Sequence, residues 1–283
     1  MVTPFSCDLA VDFERAGELA KRLVENGSTG LVVAGTTGES PTLSHDEKLQ
    51  LFQAVKEAVA VPVIANTGSN DTASSVVLSK EAQQLGVDAL LMVVPYYNRP
   101  NQEGLYQHFK TIAESVPLPC VLYNLPGRTS RNMETATTAR LSHIENIVGV
   151  KESSGDPLQW AHTAAQAKED FLLISGNDSD TLPMLTLGAC GLIGVISHIA
   201  GPQLRQMMDA FWNGDMQTAR AIHLKLLPVC DALFPASAPN PIPIKAALEM
   251  QGFPCGGLRL PLIDASASER ENLETAMRAA DLL

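Results

Sequence analysis

The hydrophobic pattern alternates two kinds of segment along most of the chain. Short aliphatic and β-branched runs at residues 31–34, 61–65, 89–94, 120–123, 147–150, 171–175 and 192–196 are apolar at successive positions. Strands without polar alternation are buried on both faces, as in a parallel sheet covered by helices. Between these runs the apolar positions recur with helical spacing. Residues 12–26 place Phe13, Ala16, Leu19, Ala20 and Leu23 on one face. Ser44-His-Asp-Glu47 reads as a capping box that opens a helix over 45–59. The same periodicity predicts helices over 72–85, 102–115, 133–142, 157–167, 180–187 and 202–212.

Seven strands separated by helices with short links imply right-handed βαβ units. Val2-Thr3-Pro4-Phe5 is the one remaining place for an eighth strand. Eight such units in the first 214 residues predict an α/β fold of the closed (β/α)8 TIM-barrel type. An open doubly wound sheet fits less well, because no GxGxxG follows the first strand. After Asn213-Gly214-Asp215 the strands stop, and 216–234, 241–252 and 267–283 read as helices. The expected organisation is a barrel at 1–214 and a C-terminal three-helix appendage at 215–283.

Composition narrows the function classes. Of 283 residues, 45% are hydrophobic and 18% charged, ordinary for a globular chain, and the net charge is -11. A protein that neutralises phosphates needs a basic face, so nucleic acid is not an expected partner. Five cysteines without a CxxC pair suit a reducing cytoplasm and suggest no zinc cluster. No signal-peptide pattern opens the chain, and no run of about 18 apolar residues predicts a membrane span.

Active sites of such barrels lie at the C-terminal strand ends. There the sequence offers Gly35-Thr36-Thr37-Gly38-Glu39-Ser40, Asn66, Pro95-Tyr96-Tyr97-Asn98, Tyr123-Asn124 with Pro126-Gly127-Arg128, Lys151-Glu152, Gly176-Asn177-Asp178 and Gly191-Leu192-Ile193-Gly194. Of nine lysines, Lys151 alone directly ends a strand-like run. Desolvation favours the free amine, which condenses with a ketone or aldehyde to an imine. The imine nitrogen draws electrons from the adjacent carbon, so a C–C bond forms or breaks without a metal. The position also suits a plain ion pair with Glu152, and position alone leaves both readings open. Tyr123, one strand away, can pass a proton or merely cap the core. Thr36 and Thr37 offer hydroxyls and backbone N–H groups in a glycine-flanked loop suited to an anion. The loop lacks the spacing of a nucleotide-binding P-loop. Tyr97 can extend a hydroxyl relay or pack with Tyr96. Arg128 can grip a carboxylate or serve as a solvated loop charge. The six histidines form no HxH or HExxH, which argues against a zinc-dependent aldolase.

These motifs converge on one family. GTTGES at 35–40, PYYNRPNQEGLYQHF at 95–109, LYNLPGRT at 122–129, GVKESSGD at 149–156 and PNPIPIK at 239–245 carry the likeness, which runs from VTPF at residue 2 to LRLPL at 258. The chain resembles the 4-hydroxy-tetrahydrodipicolinate (dihydrodipicolinate) synthases of the N-acetylneuraminate lyase superfamily. The resemblance implies pyruvate as first substrate, an imine at Lys151, and a proton relay of Tyr123, Thr36 and Tyr97, with Tyr97 reaching a neighbouring subunit. It further implies that Thr37 binds the pyruvate carboxylate and that Arg128 holds the carboxylate of aspartate semialdehyde. Ile193 and Gly176 would line the pocket. No cofactor or metal is implied. The product would feed lysine and diaminopimelate synthesis, and the assembly would be a homotetramer, a dimer of dimers. Sialate lyases and keto-acid aldolases of the superfamily share the lysine, the tyrosine and the barrel, so a 2-keto-3-deoxy acid aldolase is the alternative. The double threonine and Arg128 favour a small substrate with its own carboxylate. A non-catalytic metabolite-binding barrel is a third reading, disfavoured by so many reactive side chains at strand ends.

Two departures from the family pattern carry expectations. Members usually have several residues before VTPF, so the first strand is expected to be short here. Ser40, His45, Asn70 and Tyr96 match a lysine-feedback site, but Lys48 replaces a histidine and Ser74 a glutamate. A cation gained and an acid lost both disfavour an ammonium ligand. The resemblance therefore implies weak or absent lysine inhibition.

Overall fold

The computed structural model describes residues 1–283. The chain forms two compact units, Met1–Val61 with Val195–Leu283, and Pro62–Gly194. The first unit opens with α1 (Phe13–Glu25), β1 (Leu31–Val33) and α2 (His45–Ala58). The second holds β2 (Val63–Asn66), α3 (Thr72–Gln84), β3 (Ala89–Val93), α4 (Gln102–Ala113), β4 (Cys120–Asn124), α5 (Pro126–Thr129), α6 (Thr135–Leu141), β5 (Ile147–Glu152), α7 (Pro157–Gln166), β6 (Leu172–Ser175) and α8 (Thr181–Leu185). The first unit resumes with α9 (Ser197–Trp212), α10 (Met216–Leu233), α11 (Ile242–Met250) and α12 (Ala267–Ala279).

In the first unit, α1 buries Ala16, Leu19, Ala20 and Leu23 along the stripe its spacing predicts. Each leucine so buried contributes about 1.5–3 kcal/mol. The predicted capping box is present: Ser44 N–H donates to Glu47, and Glu47 N–H donates to the Ser44 hydroxyl. Helix α9 begins five residues earlier than the pattern at 202–212 predicts. Its first turn is set off by Ala200, whose φ of -134° and ψ of 31° are not helical, just before Pro202. A proline clashes with continuous helix on its N-terminal side, so the apolar periodicity there broke and concealed the first turn. Three helices follow Asn213, as expected, though α12 stops at Ala279.

The expected first strand is not a ladder. Val2, Thr3 and Phe5 are buried, yet the segment makes one isolated antiparallel bridge, Phe5 with Val11. Its donors go elsewhere: Val2 N–H to His198 Nε2 at 3.0 Å and Phe5 N–H to the Cys255 carbonyl at 3.0 Å. Pro4 has no N–H, which denies a ladder its middle donor.

The second unit is built on a parallel sheet in the order β2-β3-β4-β5-β6. A register shift between Cys120 and Val121 on β4 sets Tyr123 opposite Lys151 and Asn124 opposite Glu152. The run at 192–196 is likewise not a regular strand. Leu192 makes a single parallel bridge to Ser175, supported by Ser175 N–H to Gly191 O and Ile193 N–H to Ser175 O, both 2.9 Å. Glycines at 191 and 194 weaken strand formation. Ile196 is already in the right-handed helical region as α9 begins.

Candidate active site

Lys151 and Tyr123 leave neighbouring strand ends side by side. The ammonium nitrogen stands 4.1 Å from the Tyr123 ring centroid, and Tyr123 itself is buried. Gly176 follows β6 and gives its N–H to the Glu152 carbonyl at 2.8 Å. A Cβ at 176 would come within 3.0 Å of Lys151 Cγ and Cε, so only glycine leaves the lysine its present course.

The carboxylate beside Lys151 has other partners. Glu152 is 1% exposed and accepts from Asn124 Nδ2 at 3.1 Å, Gln159 Nε2 at 3.1 Å and the Ser154 N–H at 2.7 Å. Burial pushes its pKa upward, and these donors offset part of that rise. The ion pair that position alone allowed between Lys151 and Glu152 is therefore not formed. The half-buried Lys151 amine thus faces an aromatic ring and no carboxylate.

Asn124 also ties down the following loop. Its Nδ2 reaches Asn132 Oδ1 at 2.8 Å, and its Oδ1 receives the Met133 N–H at 2.9 Å. Arg128, exposed in α5, rides on the loop so closed. Ile193 is half-buried, fixed by its backbone to Ser175.

Thr36 and Thr37 belong to the other unit, in a tight turn after β1. Gly38 N–H to Gly35 O and Glu39 N–H to Thr36 O, both 3.1 Å, close it. Ala34 and Glu39 hold φ of 54° and 56°, conformations that cost non-glycine residues of order 1 kcal/mol each. The surroundings fix that geometry. Glu39 pairs with Lys245 at 2.8 Å, the two side chains being 1% and 4% exposed. Burial lowers the Lys245 pKa, and Glu39 opposes the shift. Arg259 N–H reaches Glu39 Oε2 at 3.1 Å, and the Thr3 hydroxyl donates to Gly38 O at 2.7 Å. Asn240 donates to the Thr37 hydroxyl at 2.9 Å.

Residues 1–280 match the family described as "Dihydrodipicolinate synthetase family". A relative from Moorella thermoacetica, named 4-hydroxy-tetrahydrodipicolinate synthase, is 54% identical, covering 100% of this chain and 97% of its own. Among solved structures, the enzyme from Cyanidioschyzon merolae with lysine bound matches at 46% identity and TM-score 0.97, over 100% of this chain and 97% of that one. The enzyme from Acinetobacter baumannii complexed with pyruvate matches at 38% identity and TM-score 0.95, over 100% and 97%. The chain belongs to the dihydrodipicolinate synthetase family. With it comes the (β/α)8 barrel with C-terminal helices that the sequence pattern predicts.

The remaining candidates of this family member each have their own surroundings. Tyr97 is 91% exposed, and its φ of 74° is held in a loop where Asn98 N–H reaches Tyr96 O. Tyr96 is 37% exposed, and Asn98 Nδ2 bonds the Asn70 carbonyl at 2.8 Å. Ser40 opens a short 3-10 turn and His45 begins α2. Lys48 lies on α2, where burial lowers its pKa. Sequence reasoning missed Glu152 as a hub, Ser153, whose hydroxyl is buried without a partner, and Asn240 and Lys245 as supports of the threonine loop. The PNPIPIK motif at 239–245 contains both, but Asn240 acts 203 positions from Thr37, so the motif alone gives them no role.

Proposed function

We propose that this chain condenses pyruvate with L-aspartate 4-semialdehyde through an imine on Lys151, giving 4-hydroxy-tetrahydrodipicolinate. Membership of the family makes it a lyase, and the activity is the one its relatives are named for. The product serves lysine and diaminopimelate synthesis. The observation that carries the residue assignment is the Lys151 amine, free of any carboxylate and 4.1 Å from the Tyr123 ring centroid.

The steps follow from the chemistry of the substrates. The Lys151 amine adds to the pyruvate ketone, and water leaves as the imine forms. Protonated, the imine nitrogen draws electrons from the methyl carbon, which loses a proton to give an enamine. That carbon attacks the aldehyde of the semialdehyde, and its oxygen takes a proton. The new intermediate's own amine then attacks the imine carbon and displaces Lys151, closing the ring. Tyr123, Thr36 and the Tyr97 of a neighbouring subunit pass these protons. Thr37 binds the pyruvate carboxylate, Arg128 that of the semialdehyde, and Gly176 and Ile193 line the pocket. An exposed Tyr97 on a strained loop suits a role beyond its own chain, and we assign a homotetramer built as a dimer of dimers. The five free cysteines suit the cytoplasm, and no helix is long and apolar enough to cross a membrane. Residues 1–214 form the barrel and 215–283 the helical appendage.

Borohydride reduction in the presence of pyruvate tests the assignment. Mass spectrometry should find the reduced pyruvate adduct on Lys151, and Lys151→Ala should abolish it. An unmodified Lys151 after reduction would end the imine reading. Ser40, His45, Asn70 and Tyr96 are the residues we assign to lysine feedback, and Lys48 and Ser74 disfavour an ammonium ligand. Lysine should inhibit weakly or not at all, and inhibition as tight as in sensitive relatives would reject that.

A further inference from the structure

Asn240 lies on the segment leading into α11, is 4% exposed, and donates from Nδ2 to Thr37 Oγ1 at 2.9 Å. A hydroxyl carries one hydrogen and two lone pairs. An amide N–H on one lone pair forces the hydroxyl hydrogen to point away from that amide. The backbone of the threonine loop is already pinned by Lys245 and Arg259 on Glu39 and by Thr3 on Gly38. The rotation of the Thr37 hydroxyl is the freedom left, and Asn240 removes it.

We infer that Asn240 is a positioning residue for substrate: it presents the Thr37 hydroxyl as a hydrogen-bond donor to the carboxylate of the first substrate. The inference rests on the reading of Thr37 as the carboxylate-binding residue. A carboxylate only accepts hydrogen bonds, so a hydroxyl that serves it must donate. Left to rotate, the hydroxyl would spend part of its time with a lone pair toward the ligand. Asn240 sets its polarity before substrate arrives, which is preorganisation of binding rather than of chemistry.

The sign of the amide contact gives a test that a mere packing role does not share. Aspartate is close to asparagine in shape but accepts where the amide donates. Asn240→Asp would capture the Thr37 hydrogen and add a negative charge near the substrate carboxylate. Asn240→Ala would release the rotor without adding a charge. The full-length enzyme is assayed with pyruvate varied at saturating semialdehyde, and imine formation is followed by borohydride trapping at saturating pyruvate. Asn240→Ala should raise the KM for pyruvate roughly tenfold, the worth of one oriented hydrogen bond, with kcat and the saturated trapping rate nearly unchanged. Asn240→Asp should raise KM roughly a further tenfold. In a Thr37→Val background, Asn240→Ala should add nothing.

An aspartate variant as good as the alanine variant, a loss confined to kcat, or additive effects of Asn240→Ala and Thr37→Val would overturn the inference while leaving Thr37 its role. An unchanged pyruvate KM in Thr37→Val alone would remove the reading on which it rests. Should Asn240→Asp not fold, the alanine and valine cycle still decides.

Discussion

A Cβ on residue 176 would lie 1.9 Å from Ser153 Oγ as well as 3.0 Å from two carbons of Lys151. Both neighbours are on β5 or just beyond it, and neither can retreat freely, because Ser153 is buried and Lys151 is half-buried. Gly176→Ala should therefore both strain the fold and turn the lysine. Overpacking of this kind costs about 1–3 kcal/mol, readable as a fall in the urea midpoint. A displaced amine costs more in rate: a shift near 1 Å can lower turnover by roughly 10²-fold. Adding Ser153→Ala removes the 1.9 Å clash and should restore most of the stability, but not the trapping rate, since the contact with Lys151 persists. A Gly176→Ala enzyme with normal imine trapping would show that the glycine is not there for the lysine.

Strands β4 and β5 end in paired couples, Tyr123 opposite Lys151 and Asn124 opposite Glu152. The second couple holds the first. Asn124 supplies a donor to the buried Glu152 carboxylate and an acceptor to the Met133 N–H that closes the Arg128 loop. Asn124→Ala removes one donor from Glu152, which keeps Gln159 and Ser154, and leaves the buried Met133 N–H without its acceptor, the latter costing about 1–3 kcal/mol. Its urea midpoint should fall accordingly, and its KM for the semialdehyde should rise more than its pyruvate trapping rate falls. A midpoint within error of the unchanged protein would show that water replaces the amide. At this scale much was legible beforehand. Helices declared themselves by period, as over 12–26, and by cap, as at Ser44. The strands at β1 to β6 declared themselves as apolar runs, and because barrel chemistry sits at strand ends, Lys151 and Tyr123 stood out as candidates. The segments at 2–5 and 192–196 were apolar enough to read as strands, but Pro4 and the glycines at 191 and 194 withhold the regular backbone that a ladder needs. The polar network of Asn124, Glu152, Gln159 and Asn132 has no period and no spacing, so hydrophobic pattern does not reveal it.

Across the whole molecule, three buried or paired groups give the acid limb of stability one sign. His198 is wholly enclosed, receives the Val2 N–H on Nε2 and meets the Val195 carbonyl from Nδ1 at 2.7 Å. Its pKa is pushed down to about 3 by burial. A proton on Nε2 would set donor against donor. His108 is pushed down to about 4 by burial, with Asp71 opposing, and its Nδ1 meets the Thr72 hydroxyl at 2.8 Å. Glu47 is held at about 2, chiefly by its hydrogen bonds from Arg259. Each folded pKa is below the ordinary value, 6.5 for the histidines and 4.5 for Glu47. As pH falls, the unfolded chain takes up these protons first. The histidine contributions are therefore complete above about pH 6.5 and are lost as pH falls toward 4 and 3. The Glu47 contribution is complete above about 4.5 and lost toward 2. Glu152 acts in the opposite sense, since its raised pKa means that protonation relieves the cost of its burial. Between pH 6 and 4.5 the two histidines dominate, at up to about 1.4 kcal/mol per pH unit each. Urea midpoints measured from pH 8 to 4.5 should be level at the top and descend below about 6.5. His108→Gln, which cannot take up the proton, should roughly halve that descent. A level profile down to pH 5 would show that neither ring stays neutral in the folded chain.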